Sequence, residues 1–426
     1  MADKPDNTDK AKTKRPPAAG SSLPVARSIV EELLAFNRDR KPKGLAIKYA
    51  RMAADAFAFF RGTLHLFAHQ WSDFRPDGAG PEILSCGDLH IENFGAFQTD
   101  DGVFCYDIND FDEALLAPAA FDLVRVSASV LLAADVWGHD AEHARQTVAM
   151  LLESYCQAIG AAQSDSHDDQ LTLQHGSGPI WELLAKTAVN TVADLLDHHT
   201  KIDRNNVRQI VRSDDKHPEL SENRAKKITK AVEAYGVAHD AAAAFRVLDV
   251  SGRVAGVGSL GVRRALVLVE GEGSPDGNKL LDIKQAWPSA AAPWVGRPMP
   301  DEPNEAQRVV DAQRCVQVRP TAGLDVIEIG TAWYRMRAMV PDENRSKLDR
   351  LKDDPERCRA AIVAAGQIVG RAHCRGAAYA KTGAELSQFA SADRLTGVLP
   401  AAERALANYQ EYCRAYKNGE FKIAEA

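Results

Sequence analysis

The sequence predicts an α+β chain with a large, mostly helical lobe and a small antiparallel β lobe. Three observations lead there. Apolar residues recur at helical spacing through most of 28–161 and again through 355–417. Between Phe245 and Met339 the period shortens to that of strands, with Gly, Pro, Asp and Asn marking the turns. Amid the helical patterns lies an acid-rich stretch, Cys86 to Arg125, whose centre reads as strand, turn and strand.

Residues 1–25 are mostly Lys, Asp, Pro, Ala and Ser with almost nothing to bury, which predicts a disordered tail. A short amphipathic helix is expected from Ser28 to Phe36. A long one follows from Ala46 to Trp71, with Met52, Phe57, Phe60, Leu64 and Phe67 in helical rhythm. Arg61 lies within that aromatic run and needs a carboxylate or a phosphate as partner. Pro118 interrupts the chain before helices over 121–134 and 140–161. The segment 162–244 begins as a Gly/Ser-rich boundary and continues as charged helix. Its adjacent His198 and His199 cannot share a helix face and read as solvated. The β-rich segment is 245–340, and C-terminal helices over 341–426, broken at Pro400, complete the large lobe that 26–161 begins. His373 reads as a satisfied structural histidine near a helix end.

Composition excludes several classes. A net charge of −7, mixed in sign along the chain, gives no basic stripe for nucleic acid. No apolar run is long enough for a bilayer, and no signal-peptide core opens the chain, so no membrane partner is expected. The 7 cysteines are odd in number and scattered without CxxC pairs, as in a reducing cytoplasm.

The acid-rich stretch holds two clusters, Gly87-Asp88-Leu89-His90-Ile91-Glu92-Asn93 and Asp107-Ile108-Asn109-Asp110-Phe111-Asp112-Glu113. The hairpin turn Asp100-Asp101-Gly102 between them would carry both to one end, with oxygens of Asp88, Asn93 and Asp110 facing each other. An all-oxygen set suits Mg²⁺, which keeps waters and shares itself with substrate phosphates. Asp107, Asp112 and Glu113 are additional acids, open to a second metal contact, to pairing with Arg61 or Arg125, or to solvent. Farther on, Gly256, Gly258, Ser259 and Gly261 bend a hairpin, and the next strand carries a lone lysine, Lys284. Such glycines let backbone N–H groups approach phosphate oxygens, with the strand lysine reaching the same phosphates. The helix over 305–317 offers Glu305 or Asp311 as a partner for Lys284.

GDLHxxN followed by a strand pair and DFD resembles the catalytic half of the aminoglycoside-phosphotransferase and choline-kinase branch of the protein-kinase-like fold. Carried over by position, the resemblance implies Asp88 as catalytic aspartate, Asn93 and Asp110 as metal ligands, and Asp122 as the aspartate closing the motif, with His90 beside them. Cys86 departs from the histidine usual before Gly87. FAFFRG, GDLHIENFG, DINDFDE and FDLVR together resemble more closely an uncharacterised bacterial family, domain of unknown function 2252, with Phe121 where tryptophan is usual. The kinase resemblance implies a two-lobed fold in permuted order, because the acidic segment precedes the glycine loop here.

The expected function is therefore Mg²⁺- and ATP-dependent phosphoryl transfer to an unknown hydroxyl, on a small molecule or a protein. A non-catalytic nucleotide binder of pseudokinase type and an AMP transferase are the alternatives. A metallophosphoesterase, suggested by Gly87-Asp88-Leu89-His90, lacks that superfamily's further metal motifs.

Overall fold

The two largest apolar cores among the described residues are one closed by helical stripes and one closed by alternating strands. The computed structural model describes residues 28–162, 172, 177–189, 192–256, 258, 260–300, 302–339, 348–390 and 397–422. The predicted tail, Ser259 and most of the Gly/Ser boundary lie outside these.

The first core gathers Phe67, Trp71, Phe121, Val124, Leu151, Tyr155, Ile362 and Val369. Its long helices are Ala119–Trp137, Ala141–Ala162, Pro355–Ala380 and Val398–Lys417. Pro400 falls in the first turn of the last helix, where a missing N–H leaves no bond unmade, so the expected break does not occur. The helix expected from Ala46 to Trp71 is instead a chain of four: Pro42–Met52, Ala56–Gly62, Leu64–His69 and Trp71–Phe74. Asp55 starts the second by accepting the Ala58 amide at 2.6 Å, and Thr63 ends it with its hydroxyl on the Phe59 carbonyl at 2.8 Å. These breaks bend the aromatic run around the core.

Four short strands frame the acid-rich stretch: β1 (Glu82–Ser85), β2 (Phe94–Gln98), β3 (Phe104–Ile108) and β4 (Leu115–Pro118). β2 and β3 form the expected hairpin. β1 pairs with β4, antiparallel, with Ser85 opposite Leu115, a pairing too short to read from the sequence.

The segment expected to be helical is divided between the cores. Helix Gly178–Ala188 joins the first through Ile180, Leu183 and Leu184. The hairpin β5 (Thr200–Ile202) and β6 (Arg208–Ile210) and the helix Glu222–Ala238 belong with the strands that follow. Those strands are β7 (Val247–Gly252), β8 (Arg264–Val269), β9 (Lys279–Gln285), β10 (Asp325–Ile329) and β11 (Ala332–Ala338). They make one antiparallel sheet in the order β10-β11-β9-β8-β7, so β9 is central. The helix Glu305–Val316 lies between β9 and β10 in the chain.

Period-2 alternation gives this sheet two unlike faces. Val267, Leu281, Ile283 and Met336 face the helix Glu222–Ala238 through Ile228 and Val232. On the opposite face Leu266, Leu268 and Leu280 meet Leu195 and Leu196, and the rest is charged: Arg264, Asp282, Lys284, Arg335 and Arg337. No helix among the described residues is long and apolar enough to cross a membrane.

Candidate functional site

The β1–β4 pairing sets the acidic side. The loop leaving Ser85 and the loop entering Leu115 start from one rung, so Asp88 and Glu113 become neighbours. Gly87 makes the approach possible: its φ is +80°, and a Cβ there would stand 2.1 Å from the Glu113 carbonyl oxygen. Asp122, buried in the helix Ala119–Trp137, accepts the Cys86 and Gly87 amides, both at 3.1 Å. Burial alone would raise its pKa, but hydrogen bonding and charge from His373 hold it below the usual value. His373 is itself bonded to the Tyr155 hydroxyl at 3.0 Å, a structural role.

Arg125, one helical turn beyond Asp122, donates to Asp88 at 2.7 Å and to the Phe60 carbonyl at 3.1 Å. Its guanidinium is fully buried over the Phe60 ring at 4.3 Å, which fixes the carboxylate it holds. Burial pushes the Asp88 carboxyl up to about 7 against the pull of Arg125, and the charges of Glu113 and Asp110 add to the rise.

His90 caps the short turn Ile91–Asn93, its Nδ1 accepting the Glu92 amide at 3.2 Å. Asn93 at the end of that turn donates to the Asp88 carbonyl at 2.9 Å, while its Oδ1 is buried without a hydrogen-bond partner. Asp110 is exposed, and its charge acts on Asp88, Glu113 and Lys284, which puts it near all three. Among the described residues no three His, Cys, Asp or Glu side chains converge as a metal cage. A cation here would draw on the orphaned Asn93 oxygen and on Asp110, and complete its shell from water or phosphate.

The other three acids have separate roles. Asp107 is turned away and buried, accepting the Ile108 and Val318 amides at 2.7 and 3.0 Å with Arg375 at 3.8 Å. Glu113 accepts the Ala290 amide at 2.6 Å, and Asp112 pairs with Lys284. Arg61 forms an ion pair with Glu92 at 2.7 Å, beside the acids its position led us to expect.

The basic side is the charged face of the sheet. Asp282, wholly buried, receives both Arg264 donors at 2.6 Å and Arg335 at 3.0 Å, with Arg253 and Arg337 at 3.4 and 3.8 Å. Burial would raise its pKa, but these guanidinium groups hold it well below. Lys284, two residues along, is lowered to about 8, by burial first and then by Arg335, Arg337 and Arg40, against the pull of Asp110. Neither expected partner meets it. Glu305 pairs with Arg308 at 2.7 Å and Asp311 accepts Gln307 at 2.8 Å; Asp112 has taken the lysine instead. Arg308 also donates to the carbonyls of Asp112 and Trp287 at 2.8 and 2.9 Å, tying the acidic loop to the small lobe.

The glycine loop closes over the helix Pro42–Met52. Arg40 donates to the carbonyls of Gly258 and Leu260 at 2.9 and 2.6 Å. Gly256 and Gly261 both have positive φ, and a Cβ on Gly44 would lie 2.6 Å from the Gly261 nitrogen. Sequence reading missed Arg40, Gly44, Arg308 and the partners of Asp282, all of which act across long chain separations. Gly44 lies before the helix expected from Ala46, and only the observed start at Pro42 puts it inside one. A groove of about 500 Å³ along the helix Glu222–Ala238 has none of these acids on its walls.

Residues 40–421 match the model of a bacterial family described as an uncharacterized protein conserved in bacteria (DUF2252). The chain belongs to that family. Within DUF2252 the matched span starts at Arg40, the residue holding the glycine loop, and takes in both charged sides. No curated protein and no solved structure matches the chain.

Proposed function

We propose that the junction between the acidic loop and the charged sheet face binds Mg²⁺–ATP and transfers phosphate to a hydroxyl group. The observation carrying this reading is that Lys284, from the strand after a glycine-loop hairpin, meets Asp112 beside Asp110 across 172 residues of chain. A glycine-loop hairpin, a lysine strand, a helix and two closing strands make the nucleotide side of a protein kinase. Here that unit follows the GDLHxxN segment, in keeping with a permuted two-lobed fold. His90 caps a turn, which speaks against the phosphoesterase alternative.

In this reading Asn93 and Asp110 hold Mg²⁺, which neutralises charge on the phosphates. Lys284 exchanges Asp112 for phosphate oxygens as nucleotide enters. Asp88, oriented by Arg125, takes the proton of the acceptor hydroxyl while its oxygen bonds to the γ-phosphorus and the bond to the leaving ADP oxygen breaks. The Lys284–Asp112 pair also favours a second reading, a nucleotide binder that does no chemistry.

Mg²⁺-dependent ATP binding, followed by thermal shift, tests both. The wild type should be stabilised, and Asp110→Asn and Lys284→Ala should reduce the shift. Equal shifts in all three proteins would remove the nucleotide site, whereas a shift without any turnover would favour the binder.

A further inference from the structure

The helix Pro42–Met52 buries Leu45, Lys48, Tyr49 and Met52, an apolar stripe with a lysine in it. Long cationic side chains on such stripes ordinarily reach out to water. Lys48 is only 1 % exposed, and among the described residues it makes no hydrogen bond or ion pair. Burying an ammonium without a bonded counter-ion costs several kcal/mol (order of magnitude) that a leucine or methionine would not. The charges acting on it are Arg40, of the same sign, and Glu113 and Asp88 on the acidic side. His65, stacked on Phe36 at 3.8 Å and without a partner at either ring nitrogen, is the other titratable group facing it.

Its position gives the lysine a use. Gly44, one turn earlier on the same face, touches Gly261 of the glycine loop, and Arg40, which precedes the helix, holds that loop by its carbonyls. Lys48 therefore lies on the floor between the loop and Asp88. The other cations around this floor are engaged: Arg40 with the loop, Arg125 with Asp88, Lys284 with Asp112. We infer that Lys48 is the residue that receives the phosphate chain of an incoming polyphosphate or nucleotide, before Lys284 is freed from Asp112. The inference rests on reading the crevice as a phosphate site but not on its doing chemistry. Burial lowers the Lys48 pKa well below that of a free lysine, and the charges of Glu113 and Asp88 act against that fall.

The test is titration calorimetry of the full chain with tripolyphosphate in EDTA, and with ATP, comparing the wild type with Lys48→Met. Loss of one charged phosphate contact should weaken Lys48→Met by at least about tenfold for both ligands. The thermal midpoint of ligand-free Lys48→Met should be equal to or above that of the wild type. Unchanged binding by Lys48→Met, no tripolyphosphate binding by the wild type, or a loss confined to ATP would each overturn the assignment. So would a lowered midpoint, which would make Lys48 a structural cation. Mg²⁺–ATP turnover is measured beside these. Lys48-dependent tripolyphosphate binding without turnover sinks only phosphotransfer, and turnover with Lys48-independent binding sinks only the role of Lys48.

Discussion

The acidic hairpin and the arginine-lined sheet face one another with opposite charge, yet they settle that charge differently. On the sheet, Arg264 and Arg335 close on Asp282, with Arg253 and Arg337 beside them, inside the protein. On the hairpin, Asp110 is left exposed and the Asn93 oxygen is left without a donor. A carboxylate satisfied from within, as Asp282 is, serves the fold, and its loss should appear in stability. A cluster left open needs something from outside, and its loss should appear in binding or rate. Mutations on either side should therefore separate along that line.

The largest effect is expected at Asp110. Asp110→Asn removes a charge that the proposed chemistry requires, so turnover should fall on the order of 10³-fold, about 4 kcal/mol of barrier. Because Asp110 is exposed and accepts only a 3.3 Å bond from the Asp112 amide, the thermal midpoint should move by no more than about 1 °C. A large loss of stability with turnover retained would reverse the comparison.

Asp282→Asn should do the opposite. It leaves the guanidinium groups of Arg264 and Arg335 buried beside a neutral amide, at a cost of about 3 kcal/mol in chemical denaturation. That is the low end for a broken buried pair, since Arg337 keeps its 2.6 Å bond to Asn109. Nucleotide affinity of the folded fraction should be little changed.

Asp88 belongs to both categories, and pH separates them. Its folded carboxyl holds a proton up to about 7, whereas an unfolded aspartate releases it near about 3.9. Its contribution to stability is therefore present at low pH and lost as pH rises through about 7. Its basic form grows over the same interval, so kcat/KM should rise about tenfold between about pH 6 and pH 8. Asp88→Asn should flatten the stability profile and lower turnover about 10²-fold. Rate and stability rising together with pH would mean that another group is the base.

The sequence disclosed the open side of the crevice far better than the satisfied one. GDLHIENFG and DINDFDE placed Asp88, Asn93 and Asp110 in one group, and the period change at Phe245 located the sheet within two or three residues of its observed start. The misjudged features depend on contacts between distant segments. Asp112 and Asp110 are both acids of one loop, and only the angle at which the loop meets β9 decides which takes Lys284. In the sequence Asp107 is open to a metal, an arginine or solvent, and only Val318 and Arg375, from distant segments, decide that it is buried. His199 reads as solvated but bonds His217 at 3.0 Å, from a loop that periodicity does not position. The breaks at Asp55 and Thr63 are capping decisions that the continuous aromatic rhythm conceals.

The smallest effect expected is at Gly44, and it bears on the loop joining the two regions. Gly44→Ala should strengthen the helix Pro42–Met52 by about 1 kcal/mol through propensity alone. The added Cβ would also stand 2.6 Å from the Gly261 nitrogen and 2.7 Å from its Cα, so the loop backbone must retreat. Retreat costs about 1–3 kcal/mol as overpacking, and it pulls on the bonds from Arg40 to Gly258 and Leu260. The two terms nearly cancel in global stability, so the thermal midpoint should change little. They do not cancel in binding, because only the loop moves: Mg²⁺–ATP should bind about fivefold more weakly, about 1 kcal/mol. Lys284 and the acids are untouched by this change. Nucleotide affinity equal to that of the wild type would therefore show that the glycine loop, despite its contacts with Arg40 and Gly44, does not cover the phosphates.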